Sequence, residues 1–144
     1  MKSYFIIIIF SYSLNAQNLF KVKPKYNSSN LKLLNEWVFQ SMKTITYAEN
    51  EESETIFKDD KNQETIKFKK SGEIIYFSDF DGRRNTGTGN WLIKDDSLSI
   101  ITNGDTINAS YKIFNNILSI ITVDKETDEF YGFKTIMEYI PKGH

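Results

Sequence analysis

The sequence predicts an all-β protein, a single eight-stranded antiparallel up-and-down barrel that follows an N-terminal signal peptide. From position 37 onwards, apolar and polar residues alternate with a period of two, which is typical of strands that bury one face. Turn-forming residues separate these segments at intervals of roughly 8 to 12 residues, as in barrels and sandwiches. No segment has the spacing of a long amphipathic helix, so the sheet is expected to close on itself to cover its apolar face.

The first segment, residues 1–16, has the pattern of a secretory signal peptide. Lys2 gives a positive start, residues 4–10 are all apolar, and Ala16 is a small residue before the expected cleavage bond. The apolar run is shorter than the roughly 20 residues that span a bilayer as a helix. We therefore expect export to the periplasm or the exterior, with no membrane span left after cleavage.

The remaining chain divides into an arm and a domain. Residues 17–32 carry several lysines, a proline and a polar run, and they predict an extended arm leading into the barrel domain at 33–144. Ser29 or Asn30 could cap one helical turn over 31–34.

Eight segments are predicted strands, and short polar turns join most of them. The strands are 37–47, 64–70, 73–77, 88–93, 97–103, 106–114, 117–123 and 130–140. The turns are Ser71-Gly72, Asp95-Asp96, Asn103-Gly104-Asp105 and Asn115-Asn116, whose residues adopt left-handed conformations at low cost. The charged segment 48–63 is predicted to be a solvated loop that could include a two-residue strand extension, or else a mobile flap over an open barrel end.

Composition excludes several classes of function. The net charge of -1 gives no field for binding nucleic acid. The absence of Cys excludes disulfides, thiolate metal sites and cysteine nucleophiles, and the single histidine, His144, is the last residue. Asp79, Phe80, Asp81 and Gly82 begin like a calcium loop, but two arginines follow, which favours a polar turn. We expect no cofactor, no metal and no enzymatic activity, since only paired carboxylates are left for catalysis.

Short motifs along the chain resemble a known family. They are Leu34-Asn35-Glu36-Trp37, Phe68-Lys69-Lys70-Ser71-Gly72, Thr88-Gly89-Asn90-Trp91, Lys94-Asp95-Asp96-Ser97-Leu98-Ser99-Ile100 and Met137-Glu138-Tyr139. From about residue 33 to the C-terminus, the chain resembles the lipocalin-like domain of small exported bacterial proteins. Asn35 stands where members typically have a glycine two residues before the first tryptophan, whereas Gly89 keeps this spacing to Trp91.

The resemblance implies a carrier or binder of a small, largely apolar molecule, without catalysis. Candidate ligand-binding side chains combine apolar surface with a few hydroxyl groups. They are Phe39, Trp91, Tyr111, Tyr131, Phe133 and Met137. Trp37 and Trp91 could stack on a ligand, although burial in the core at the closed barrel end is the favoured interpretation.

The alternative is a barrel filled by its own side chains. Eight-stranded barrels occur both filled and hollow enough for one small ligand. A filled barrel would act as a scaffold for protein interaction or as an accessory of the cell envelope, through its lysine-rich arm and the 48–63 segment. We expect a monomer in either case, with a small apolar molecule or a protein as its partner.

Overall fold

The computed structural model describes residues 28–143. One short helix, α1 (Ser28–Leu31), precedes nine β-strands in this part of the chain. The strands are β1 (Glu36–Tyr47), β2 (Glu51–Phe57), β3 (Asn62–Phe68), β4 (Glu73–Phe80), β5 (Arg83–Lys94), β6 (Ser97–Thr102), β7 (Asp105–Phe114), β8 (Ile117–Asp124) and β9 (Gly132–Pro141). This helix shares only Leu31 with the predicted turn over 31–34, and Ser29 and Asn30, the predicted caps, lie within it. Within residues 28–143, no helix is long and apolar enough to cross a membrane.

The strands form one closed antiparallel barrel. Their order is β2-β1-β3-β4-β5-β6-β7-β8-β9, and β9 also pairs with β1 along almost its whole length. From β3 onwards, each strand pairs with the next strand in the chain, which gives the up-and-down topology. Because β2 and β3 lie along the same edge of β1, they are two halves of one interrupted barrel strand. The predicted eight-stranded all-β barrel is thus confirmed.

The interruption between β2 and β3 is held by local hydrogen bonds. The Lys58 amide donates to the carbonyl oxygen of Gln40, 2.8 Å away. Asp59 Oδ1 accepts from the amides of Lys61 and Asn62 at 2.8 and 2.7 Å. These contacts change the direction of the chain after β2. As a result, β2 pairs with β1, whereas β3 pairs mainly with β4.

The expectation of a loop over 48–63 is wrong for the part that forms β2. Ile56 pairs with Met42 and packs against the core, which anchors β2 to β1. The other six residues of β2 are exposed. The sequence did not predict this strand, because its mostly polar and charged side chains show no alternation of apolar and polar residues.

The short turns have the backbone conformations that their residues predict. Positive φ angles occur at Gly72, Asp95, Asn103, Gly104, Asn115 and Asn116. A fifth hairpin turn has positive φ at Asp81 and Gly82, and Asp79 Oδ1 accepts a 3.1 Å hydrogen bond from the Gly82 amide. The Asp79–Gly82 motif is therefore a hairpin turn, and it lengthens both β4 and β5 beyond their predicted ends.

The two barrel ends are closed to different degrees. We call the end with α1 and the turns at 69–72, 95–96 and 115–116 the lower end. Here Trp37 Nε1 donates to the Leu33 carbonyl at 3.0 Å, and Trp91 Nε1 donates to the Lys69 carbonyl at 2.9 Å. Both tryptophans are 2% exposed, so their predicted place in the core of the closed end is confirmed.

The other end, which we call the upper end, carries the turns at 81–82 and 103–104 and the 125–131 loop. Thr127 Oγ1 accepts from the amides of Glu129 and Phe130, and this turn delays the start of β9 until Gly132. The predicted strand 130–140 therefore begins two residues too early. As a result, Tyr131 lies in the loop.

Candidate functional site

Exposure along the inward-facing side chains increases from the lower to the upper end. Inward residues of the lower half, such as Phe39, Leu98 and Leu118, are fully buried. Many of the inward residues of the upper half are only partly buried. We call this set the upper interior: Thr44, Thr46, Glu64, Asn85, Gly87, Thr122, Phe133 and Thr135. Ser78, Phe80 and Thr102 of the upper half are buried, so this half is only partly accessible, whereas the lower half is filled.

A carboxyl group and a phenol meet inside the barrel. Glu64 lies on the same face of β3 as the buried Ile66 and Phe68. The Tyr139 hydroxyl, reaching from β9, donates to Glu64 Oε1 over 2.6 Å and also lies 3.6 Å from the sulfur of Met137. This contact crosses the inner face of β1, because β1 separates β9 from β3.

Burial shifts the protonation of both groups. Desolvation raises the pKa of Glu64 to about 7, and the hydrogen bond from Tyr139 counteracts part of this rise. Desolvation, followed by the charge and the hydrogen bond of Glu64, holds the pKa of Tyr139 well above its ordinary value. Near neutral pH, Glu64 therefore exchanges a proton while Tyr139 stays a hydrogen-bond donor.

The surroundings of this pair are aromatic and apolar. Phe39 contacts Tyr139 and Phe80 edge to face, with ring centroids 6.1 and 5.4 Å apart. On β4, Ser78 lies opposite Glu64, and Tyr76 lies opposite Ile66. A polar group is thus set into a largely apolar wall, which is the composition expected of a site for a small molecule.

Two inward glycines leave room for neighbouring side chains. A Cβ atom at Gly87 would lie 2.5 Å from the Tyr76 hydroxyl oxygen, so Gly87 makes space for that phenol. A Cβ atom at Gly89 would collide with the carbonyl oxygen of Ile101 and lie 2.6 Å from Cγ2 of Thr102. Gly89 is therefore required by close backbone packing between β5 and β6.

Thr102 carries a polar atom without a partner. Its side chain is 2% exposed on the inward face of β6. Among residues 28–143, Oγ1 of Thr102 is the one fully buried side-chain oxygen or nitrogen that makes no hydrogen bond. Such an atom costs folding free energy, since the hydroxyl loses its hydration without replacement.

Three of the predicted site residues belong to the filled lower half. Phe39 is fully buried, and Trp91 packs edge to face on Phe68 at 5.4 Å. Tyr111 donates a 3.0 Å hydrogen bond to Asn30 Oδ1, which joins β7 to α1. Burial, followed by the charge of Asp96, raises the pKa of Tyr111.

The other three predicted site residues lie further up. Met137 is 8% exposed and contacts the Tyr139 hydroxyl. Phe133 is partly buried on the same face of β9, four residues nearer the upper end. Tyr131 is 54% exposed in the loop before β9. The structure therefore places Phe133 in the upper interior, Met137 just below it and Tyr131 in the loop outside the barrel wall. A ligand-binding role for any of the six stays a prediction.

Sequence reasoning missed Glu64, although a signal was present. The alternation of Ile66 and Phe68 with Lys67 and Lys69, continued backwards by two residues, places Glu64 on the inward face. An acidic residue in register with two apolar ones indicates either a strand end or a buried carboxyl. The structure shows a partly buried carboxyl, two residues after the start of β3.

Comparisons of the chain with protein-family models and with curated proteins find no match. Within residues 28–143, no group of three or more Asp, Glu, His or Cys side chains is arranged to hold a metal ion. The candidate site is therefore defined by its own geometry, an accessible upper interior with Glu64 and Tyr139 in its wall.

Proposed function

We propose that this protein is an exported lipocalin-like barrel that binds a small, largely apolar molecule in its upper interior without transforming it. The observation that carries the proposal is the set of partly exposed inward side chains in the upper half, above inward residues such as Phe39, Leu98 and Leu118 that are fully buried. The closed up-and-down topology supports the lipocalin-like assignment.

Several features support a binding role. The floor of the upper interior is apolar, and it contains Met42, Phe80, Ile120 and Met137, each with 6 to 9% exposure. Burying apolar ligand surface against such residues contributes about 25 cal/mol per Å². A few hydroxyl and carboxyl groups in the wall would then fix the orientation of the guest.

Native mass spectrometry of the protein purified gently from its exporting host tests this proposal directly. A stoichiometric apolar molecule that extracts into organic solvent supports a carrier. A clean apo mass, together with failure of the neutral dye Nile red to bind, contradicts it. The N-terminal sequence of the same sample tests export, because cleavage near Ala16 removes the predicted signal peptide.

A matched pair of variants locates the binding region. Thr122 lies on the inward face of β8, and its neighbour Val123 points outward with 62% exposure. Thr122→Phe is expected to weaken Nile red binding by filling the upper interior, whereas Val123→Phe adds the same ring outside and leaves binding unchanged. Circular dichroism of both variants controls for folding. Equal effects of the two substitutions would place the dye elsewhere.

A second candidate function is protein interaction through the upper end. Four large side chains near this end are strongly exposed: Tyr47, Val123, Phe130 and Tyr131. In the described residues, β2 also pairs with a strand along one edge only, and a free edge favours pairing with another extended chain. A filled barrel that excludes Nile red would favour this function.

A further inference from the structure

The carboxyl group of Glu64 has one oxygen available. Tyr139 occupies Oε1, and Glu64 takes part in no other hydrogen bond and in no ion pair among residues 28–143. Oε2 retains some exposure, since Thr102 Oγ1 is the one fully buried side-chain oxygen or nitrogen in that range that makes no hydrogen bond. An ionised carboxylate only accepts hydrogen bonds, so Oε2 calls for a donor.

The contacts of Tyr139 fix the direction in which this carboxyl can bind. The Tyr139 hydroxyl donates to Oε1. The Met137 sulfur lies beside this hydroxyl, and the Phe39 ring packs edge to face against the Tyr139 ring. The carboxyl is therefore held in one orientation by a neutral donor, and apolar groups adjoin it. A carboxylate in such surroundings lacks the countercharge that usually compensates a desolvated ion.

Charges around the upper interior are predominantly acidic. Strand alternation and register place six ionisable side chains other than tyrosines on the inward face in the upper half: Glu52, Glu54, Glu64, Asp105, Asp124 and Arg83. Five acids against one arginine give a negative potential at the mouth. Such a potential attracts a cation and repels an anion such as a fatty acid.

We propose that the upper interior binds an amphiphilic amine, an apolar molecule with one protonated amino group, whose N–H donates to Glu64 Oε2. This inference rests on the proposed function and names the ligand class for the same site. The apolar part of the molecule lies against Phe80 and Met137, and the ammonium group supplies the missing countercharge. Charge-assisted hydrogen bonds of this kind are the strong ones.

The titratable groups near Glu64 make the proposal testable by pH. Tyr139 of β9 touches the carboxyl, and Tyr76 lies diagonally across on β4. β1 contributes Val38 and Phe39, which do not titrate. Since desolvation raises the pKa of Glu64 to about 7, the affinity for an amine is expected to increase as the pH rises through this value.

Three probes with the same alkyl chain test the ligand class: decylamine, decanol and decanoic acid, each measured by displacement of Nile red. At about pH 8, decylamine is expected to bind more tightly than the other two by about tenfold or more. Glu64→Gln should remove this preference and leave decanol unchanged. Glu51→Gln, which removes an exposed carboxylate from the outward face of β2, should have no effect.

The outcomes separate the two proposals. If decanol binds and decylamine shows neither a preference nor a pH dependence, the inference is overturned while the binding function stands. If none of the probes binds and Nile red is excluded, both are overturned. Should Glu64→Gln fail to fold, the pH profile of decylamine with the wild-type protein decides, since decanol serves as its pH-independent reference.

Discussion

Glu64 and Tyr139, which are 75 residues apart in the chain, are joined inside the barrel by a 2.6 Å hydrogen bond. The contact links β3 to β9 beneath β1, in the region where β2 and β3 separate. It is the point at which the filled lower half of the barrel meets the accessible upper half. The pair therefore couples the stability of the fold to the protonation of the candidate site.

Stability is expected to depend on pH through Glu64. The pKa of this carboxyl is near its ordinary value of 4.5 in the unfolded chain and about 7 in the barrel, so the folded state binds more protons between these two pH values. The contribution of Glu64 to the free energy of unfolding is fully present below the pKa of the unfolded chain. This contribution is lost as the pH rises through the pKa of the folded state. At about 1.4 kcal/mol per pH unit, the loss is at most about 3 to 4 kcal/mol.

Urea unfolding of wild type and Glu64→Gln, each at about pH 4.5 and pH 8, measures this effect. The glutamine keeps an acceptor for Tyr139 and does not ionise, so the variant should lose less stability with rising pH. Glu51→Gln, which removes an exposed carboxylate from the outward face of β2, serves as the control and should follow the wild type. Parallel curves for all three proteins would contradict the assigned burial of Glu64.

Removal of the Tyr139 hydroxyl is expected to destabilise the protein when Glu64 is ionised. Tyr139→Phe leaves a largely desolvated carboxylate without its donor, at a cost of about 1 to 3 kcal/mol at about pH 8. The pKa of Glu64 should also rise further, because the hydrogen bond lowers it. Tyr131→Phe removes a hydroxyl from an exposed tyrosine and should change the free energy of unfolding little.

A double-mutant cycle of Tyr139→Phe and Glu64→Gln then isolates the interaction. The loss caused by Tyr139→Phe should be smaller in the Glu64→Gln background, since no charge is left uncompensated there. Additive effects of the two substitutions would mean that the hydroxyl acts through packing alone.

The sequence predicted the topology well because strands and turns are encoded locally. Asn103-Gly104 and Asn115-Asn116 form hairpin turns, and the alternation in β6 and β7 matches the observed inward faces. These features depend on residues that are neighbours in the chain. Period-two patterning therefore sufficed to place them.

The candidate site was less predictable because it depends on contacts between distant strands. Nothing near Glu64 in the sequence indicates that Tyr139 will meet it. Likewise, the charged residues of β2 contain no alternation that would reveal a strand, and only its pairing with β1 makes it one. The split between filled and open halves arises from the whole barrel, so it could not be read from any one strand.

Gly89→Ala tests the close packing of β5 on β6. An added Cβ would meet a backbone oxygen of Ile101, which cannot rotate away, so we expect a loss of about 2 to 3 kcal/mol in the free energy of unfolding. Gly87→Ala is the matched control, because there the added atom meets the end of the Tyr76 side chain. The control should lose less stability, and thermal unfolding of both variants measures the difference.

Phenylalanine truncations at two heights in the barrel test whether its interior has two parts. Phe39→Ala removes a fully buried ring in contact with Phe80 and Tyr139, and it should cost about 3 to 5 kcal/mol of stability. Phe133 is only partly buried in the upper interior, so Phe133→Ala should cost clearly less while changing the affinity for Nile red. Chemical unfolding and dye titration of both variants give the comparison. If Phe133→Ala costs as much as Phe39→Ala and leaves dye binding unchanged, the upper interior is as filled as the lower half, and the barrel is a scaffold.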